Sequence, residues 1–422
     1  RNYDLGAMDG EAYEKVLDAR RGEDGEDADE AVEDLELEET RLTEDGEKYY
    51  SYAANNAGSG TTDSEKREER DERKAADISW AKDSRRFALV REDLRAVEEL
   101  WVVHSTGNER PELETYKYPM PGEDSVGTDE LWIYDLEEME KTQVQDTSWT
   151  DATLSIIDDR QFHYPGSEEP RRRVWLSDSS DALWYERHSR DRTKADLVVA
   201  DAETGAVERT VVEERFNTYF HTQRPELLSD GDVLWLSERD GWSHLYRYGP
   251  DGTVEAQLTE GEWHVDAVEA VDEDEGVVYV SGNAREEGED PYYDHLYRVA
   301  LDGSGVELVN PGDADHSAEM NESAQFFVDN HSRVDTTPQS VLRNAEGEVV
   351  TELQTADLSG LEEAGWQMPE PVEVTAADGV TDLYGVMYKP FDFDPEKEYP
   401  VVTYVYPGPQ TEAVPKSFTP GG

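Results

Sequence analysis

PELLSDGDVLWLSERDGWSHLYRYGPDGTVEAQL, residues 225–258, reads as four short strands parted by turns. An apolar start runs into Asp230-Gly231, the alternating VLWLS follows, and Asp240-Gly241 turns the chain. LYRY then runs back, and Asp251-Gly252 precedes a last strand. Asp-Gly pairs supply the positive φ that tight hairpins need, and alternation at period two gives each strand an inward face. The same grammar recurs in VWLSDSSDALWYERHSRDRTKADLVVADAETGAVERTVV (174–212), in residues 267–309 and, more weakly, in residues 318–353. The equivalent second-strand positions Leu183, Leu234, Val278 and Phe326 lie 51, 44 and 48 residues apart. Four strands in about 40–50 residues is the length of a propeller blade.

Outward from these copies, an earlier one starts at ISWAKDSRRFALV (78–90), continues through ELWVV (99–103) and closes with ELWIY (130–134). A loop containing YKYPMPGED (116–124) lengthens it. Five blades are readable, and residues 1–56 are expected to supply part of a sixth. The expected fold is therefore all-β, a β-propeller over residues 1–355 that is incomplete at its N-terminal side. Its Trp and Tyr stripes are expected to pack blade against blade.

Two segments break the repeat. Residues 19–39 form an acidic low-complexity stretch, expected as a solvated loop. DSEKREERDERKAAD (63–77) is almost wholly charged and helix-favouring, expected as a surface helix. After residue 355 the texture changes. LSGLEEAGW (358–366) predicts a short helix inside a linker spanning 356–370, and PVEVTAADGVTDLYGVMYKPFDF (371–393) predicts two strands about an Asp-Gly turn. EYPVVTYVYPGPQ (398–410) predicts a buried central strand, VVTYVY, because a continuous apolar run suits a strand covered on both faces. A second domain is expected over 371–422, cut short at Gly422.

The net charge is −62, from 101 acidic and 39 basic residues. Such a surface excludes nucleic acid and anionic lipid as partners, since phosphate is bound by Lys and Arg. It also disfavours an acidic substrate. Low hydrophobicity with high charge ordinarily signals disorder, but aromatics make up 10% of the chain and sit in regularly punctuated runs. A folded protein with an acid-rich surface is expected instead. Arg outnumbers Lys 28 to 11; both features resemble proteins of salt-loving organisms, and a salt-rich cytoplasm is favoured over secretion into brine. There are no cysteines, which excludes disulfides and thiolate metal sites. The nine histidines show no ligand spacing, so neither a metal nor a cofactor is expected. No run approaches the roughly 20 apolar residues of a membrane helix. The chain opens in Arg1-Asn2-Tyr3 as though in mid-strand, so the lack of a targeting signal is uninformative.

Tyr399-Pro400, Val405-Tyr406 and Gly408-Pro409 fill a pattern that resembles the start of the α/β-hydrolase domain in the dipeptidyl peptidase IV branch of the prolyl oligopeptidase family. The ISWAKDS and DGWSHLYRY strands resemble blade segments of the same family. The resemblance runs from about residue 40 onward. It implies a serine peptidase whose propeller screens the active site and admits short or unfolded peptides. It also implies that Tyr406 donates its hydroxyl to the oxyanion of the tetrahedral intermediate, a role worth roughly 3 kcal/mol to such a reaction; the plainer reading is a packing tyrosine at a strand end.

The family's serine sits on a Gly-x-Ser-x-Gly elbow, followed by Asp and His. Gly241-Trp242-Ser243 is the nearest match, but Leu245 replaces the second Gly and the segment lies in a blade. The nucleophile, base and orienting acid are expected beyond Gly422, leaving this chain alone without hydrolytic activity. The resemblance further implies paired glutamates on a propeller helix that hold the substrate's amine. Glu68 and Glu69 precede Trp80 at about the right distance, although the segment reads more plainly as a solvated face. Arg285, in GNAREEGEDPYY, is a candidate for a substrate carbonyl or carboxylate; its plainer reading is a loop arginine paired with Glu286 or Glu287. The expected partner is a peptide substrate, with a homo-oligomer possible. Two other readings remain: a non-catalytic propeller that binds partners, and an acylaminoacyl-peptidase or esterase of the same architecture.

Overall fold

The computed structural model describes residues 3–21, 31–32, 35–52, 62, 76–106, 110–162, 170–177, 179–406 and 413–420. It divides into two compact units, residues 1–221 and 222–422, each described by itself.

The first unit carries two blades. Ser79–Trp80, Arg86–Asp93, Thr128–Asp135 and Glu140–Gln143 pair antiparallel in that order, and Pro170–Trp175 with Asp158–Phe162 extend the sheet beyond Ser79–Trp80. Val174 pairs in parallel with Trp80. The segment at 174–177, expected to open the next blade, therefore joins this one through Val174-Trp175. The next blade opens instead with Thr153–Ile156, followed by Ala182–His188, Lys194–Asp201 and Val207–Arg215. Competition for one edge explains the exchange: Thr153–Ile156 already pairs with Tyr185–His188, so that edge offers no free N–H or C=O there. Glu99–His104 also leaves its expected blade and pairs with Glu112–Lys117 in a separate hairpin. The edge it was expected to take is held along its whole length by Thr128–Asp135, in register from Arg86↔Asp135 to Asp93↔Thr128.

At the start of the chain Gly6–Met8 pairs with Glu39–Arg41, and Asp9 caps the helix Gly10–Arg20 by accepting from the Ala12 N–H at 2.8 Å. Among the described residues this region holds a two-stranded pair and a helix in place of the expected part of a sixth blade. Arg91 ties it to the first blade. Its buried guanidinium lies 3.2 Å from the Tyr50 ring centre and 3.9 Å from that of Tyr52. It donates to the Asp45 carboxylate, the Tyr52 hydroxyl and the carbonyls of Asp45 and Tyr50. A buried charge persists only when paired and hydrogen-bonded in this way.

The second unit holds three blades, all where the repeats predict them. The first is Glu226–Leu227, Val233–Ser237, His244–Tyr248 and Val254–Gln257. The second is His264–Asp272, Val277–Asn283, His295–Ala300 and Val306–Leu308. The third is Asp315–Met320, Phe326–Ser332, Gln339–Asn344 and Val349–Thr355. Period-two alternation explains how the middle blade serves both neighbours. Val278 and Val280 join Tyr297 and Val299 against Leu234, Leu236 and Leu245 of the preceding blade. Val277 and Tyr279 point the other way, onto Ala324 and Phe327 of the following one. Each fully buried side chain of this size contributes about 1.5–3 kcal/mol, and Tyr279, Tyr297 and Phe327 pack blade against blade as expected, whereas Trp101 and Trp242 are exposed.

Beyond the blades, Ser359–Glu363 forms the short linker helix, and Glu370–Thr375 pairs with Asp382–Met387 in the expected hairpin. The buried strand expected at VVTYVY is not formed: residues 401–406 are irregular and exposed, and pair with no strand among the described residues. A central strand is buried by its neighbours on both sides, so an apolar run without them stays open. No helix of the described residues is long and apolar enough to cross a membrane.

Candidate functional site

In the second unit the loop 284–294 leaves the strand Val277–Asn283 and returns as His295–Ala300. Ala284 opens it at φ 63°, a left-handed conformation that a Cβ disfavours by roughly 1–2 kcal/mol. Its far end is closed by the turn from Asp290 to Tyr293, in which Asp290 accepts from the N–H groups of Tyr292 and Tyr293. The surrounding structure must hold the loop's root in this conformation.

Arg285 follows the strained residue at once. Its guanidinium lies 5.5 Å from the Trp263 ring centre and 5.1 Å from that of Tyr297, an aromatic platform from the blade itself. Its polar contacts are long: 3.5 Å to Glu286 Oε1 and 3.5 Å to the Val306 carbonyl. Such distances mark weak bonds, so the guanidinium is positioned by stacking and keeps donor capacity for an incoming carbonyl or carboxylate. Glu286 also accepts from the Tyr297 hydroxyl at 3.3 Å, and burial followed by the charge of Glu286 pushes that phenol well above its ordinary pKa. Glu287 has no partner among the described residues and is exposed, so the pairing of Arg285 falls on Glu286.

The rest of the loop is anchored. Glu289 binds His295 Nε2 at 2.9 Å. Lys416 reaches Asp290 at 3.3 Å and covers the rings of Tyr292, at 4.4 Å, and Tyr384. The C-terminal stretch is itself docked, with the Phe418 N–H donating to Ser332 Oγ and Trp366 Nε1 to the Pro420 carbonyl. The result is a cation on an aromatic platform beside acidic side chains that are themselves engaged, Glu286 by Tyr297, Glu289 by His295 and Asp290 by Lys416.

The other predicted residues lie apart from this arrangement. Tyr406 ends the irregular stretch 401–406 at 60% exposure, and no hydrogen bond orients its hydroxyl among the described residues. Its neighbours Pro407, Gly408 and Pro409 lie outside the described residues, as do Glu68 and Glu69, with most of the acidic stretch 19–39 and nearly all of the expected helix 63–77. Ser243 is buried in its blade and donates to the Val265 carbonyl at 2.7 Å, which suits a structural serine and not a nucleophile. Lys416, Tyr292 and Tyr384 were not singled out from sequence. Their spacing along the chain carries no signal of the meeting, although DPYY in the same loop is a visible turn with two aromatics.

The profile of a family described as the dipeptidyl peptidase IV (DPP IV) N-terminal region matches residues 31–338. A dipeptidyl-aminopeptidase B of Aspergillus niger is 27% identical over 365 residues, covering 81% of this chain and 39% of that protein. A protein described as "probable dipeptidyl-aminopeptidase B" of Aspergillus fumigatus is 28% identical over 372 residues, covering 81% of this chain and 38% of its own. The chain thus spans less than half the length of these relatives. In fold it is similar to the crystal structure of Porphyromonas gingivalis dipeptidyl peptidase 4, with a TM-score of 0.68 at 21% identity over 90% of this chain and 50% of that one.

Proposed function

The chain belongs to the family of the dipeptidyl peptidase IV N-terminal region, and from that membership we propose that it is the substrate-gating propeller of a serine peptidase releasing dipeptides or other short peptides. The observation that carries the reading is the family match across residues 31–338 together with relatives named as dipeptidyl-aminopeptidases. Hydrolysis is the work of a Ser-Asp-His triad borne on an α/β-hydrolase domain that residues 371–422 begin. In that context Tyr406 is held in place and serves as the oxyanion donor, and Glu68 and Glu69 are candidates for the substrate amine. Arg285 meets a substrate carbonyl or carboxylate from its aromatic platform.

The acid-rich surface is adapted to concentrated salt. At low ionic strength the Debye length grows to roughly 30 Å at 0.01 M and like charges repel across the whole surface. A thermal midpoint that rises with KCl into the molar range supports this, and one that is indifferent to KCl overturns it.

The test of the activity uses a dipeptidyl p-nitroanilide in molar KCl, with the 422-residue chain and the product of the complete reading frame containing it assayed side by side. Cleavage by the longer product alone supports the assignment, and absence of cleavage by either overturns it. In the active product, Arg285→Ala is expected to raise KM about 5-fold or more with kcat within a factor of two, the signature of lost uniform binding. Equal falls in kcat and thermal midpoint assign Arg285 to structure instead.

A further inference from the structure

The third blade of the second unit brings together His316, Asp329 and His331, the last two only two residues apart in sequence. His316 and His331 are direct register partners on the antiparallel strands Asp315–Met320 and Phe326–Ser332. Asp329 stands two residues before His331, so period-two alternation puts all three on one face. One ligand atom from each falls within 4.8 Å of the others. His316 and Asp329 are buried, and the His331 side chain keeps 21% exposure.

His316 faces an acceptor at each ring nitrogen. Its Nδ1 lies 2.8 Å from Asp329 Oδ1 and its Nε2 3.3 Å from the Gly312 carbonyl. Both partners only accept, so a neutral ring, which carries one proton, leaves two acceptors facing each other on one side. With the proton on Nδ1 the ring donates to Asp329 and leaves Nε2 against the Gly312 carbonyl at 3.3 Å; with the proton on Nε2 it donates to Gly312, and the Nδ1 lone pair and the carboxylate can share a metal cation. His331 adds a second nitrogen: its Nδ1 is buried, makes no hydrogen bond among the described residues, and lies 3.7 Å from Asp329 Oδ2.

We propose that His316 Nδ1, the Asp329 carboxylate and His331 form a binding site for a borderline divalent transition ion of the Zn²⁺ class. Two imidazoles and one carboxylate suit such an ion, and three protein ligands leave a fourth position for water. Ligand atoms on a tetrahedral ion with bonds near 2.0–2.1 Å sit wider apart than the 2.8 Å pair, so the carboxylate must withdraw by ~0.5 Å. Arg343 provides the outer partner: its Nε donates to Asp329 Oδ2 at 2.8 Å while Nη1 holds the Gly347 carbonyl at 2.9 Å. This contact orients the carboxylate as outer-shell donors do. It also shares the anion with a guanidinium, so binding in the micromolar range is expected, weaker than that of a closed structural zinc site. The ion clips the first two strands of the blade together. Sequence spacing hides the set, because 13 residues separate His316 from Asp329 and only the sheet register joins them.

The test is equilibrium dialysis of the chelator-stripped chain against micromolar Zn²⁺ in molar KCl, which suppresses loose binding to surface carboxylates, followed by elemental analysis. Co²⁺ substitution reports ligand geometry through its visible absorption. One Zn²⁺ per chain is expected, with intense bands for tetrahedral Co²⁺. Affinity is expected to fall at least ~10-fold in His331→Gln and Asp329→Asn and to be unchanged in His104→Gln, whose ring is exposed beside Glu114. Because Asp329→Asn disturbs a buried charge and need not fold, the partly exposed His331→Gln decides the question. No retained Zn²⁺ in a chain with native circular dichroism overturns the proposal, as does retention that His331→Gln leaves unchanged. Protons found by NMR on both His316 nitrogens at saturating Zn²⁺ also overturn it, since they identify a buried imidazolium as the positive centre.

Discussion

VVYVSGN at 277–283 and VVTYVY at 401–406 are nearly the same sequence with opposite fates. In the first, Val277, Val278, Tyr279 and Val280 are all under 5% exposed, between two neighbouring blades. In the second, Val402 is 93% exposed and Tyr404 77%. Propensity and hydrophobicity are equal in the two, so neither decides the outcome. The deciding difference is supply of partners: Val277–Asn283 has His264–Asp272 on one side and His295–Ala300 on the other, while 401–406 has none among the described residues. Strand formation is thus a property of the set of strands, and a single apolar run states only a demand for cover.

The comparison breaks first on paired truncations. Tyr279→Ala removes a fully buried ring and its donation to the Ala345 carbonyl, and should cost about 3–5 kcal/mol. Tyr404→Ala should stay within about 0.5 kcal/mol. Urea unfolding in molar KCl measures both, and equal costs would show that 401–406 is covered in solution. The next effect is Gly282→Ala. A Cβ there would stand 2.4 Å from the His264 carbonyl and 3.0 Å from the Trp263 ring, where the first two strands of the blade pair. Overpacking against backbone should cost about 1–3 kcal/mol. A cost below half a kcal/mol would mean that the two strands lie further apart than described.

The same contrast explains how much was legible in sequence. The blades at 225–258, 267–309 and 318–353 were readable because each carries Asp-Gly or similar turns between alternating strands, and both signals are local. Misassignments fell where two segments of equal quality compete for one edge: Val174-Trp175 reads as a good first strand, yet Thr153–Ile156 takes that place. ELWVV at 99–103 likewise reads as a blade strand and forms its own hairpin. Non-local choice between edges has no sequence signature. At the candidate site, Arg285 was visible as a cation in an acidic aromatic loop. Its platform of Trp263 and Tyr297 and the closure by Lys416 depend on strand register and docking, and were not.

The exposed hairpin sharpens the comparison through pH. Asp378 accepts from the N–H groups of Val380 and Thr381 and from the Thr381 hydroxyl; the hydroxyl bond first, then the amides, hold its carboxyl down at about 2. A group depressed in the folded state stabilises above its unfolded value, near 4, and that contribution disappears as pH falls through about 2. The Thr381 amide shift should therefore titrate in that window while amides of 277–283, which lack such a turn, stay constant. A Thr381 midpoint near 4 would show the turn open in solution.

The smallest expected effect lies at the root of the candidate loop. Ala284 directly follows the buried strand, and its φ of 63° stores roughly 1–2 kcal/mol that glycine does not bear. Glycine in turn adds unfolded-state entropy worth roughly 0.5–1 kcal/mol. Ala284→Gly should therefore stabilise by about 0–1.5 kcal/mol, read as a small rise in the urea midpoint at constant slope. Ala284→Val should destabilise by more than Ala284→Gly gains, since a branched Cβ tolerates positive φ worst. If glycine destabilises instead, the loop relaxes to negative φ in solution, and the fixed course of 284–294 that positions Arg285 gives way to a mobile one.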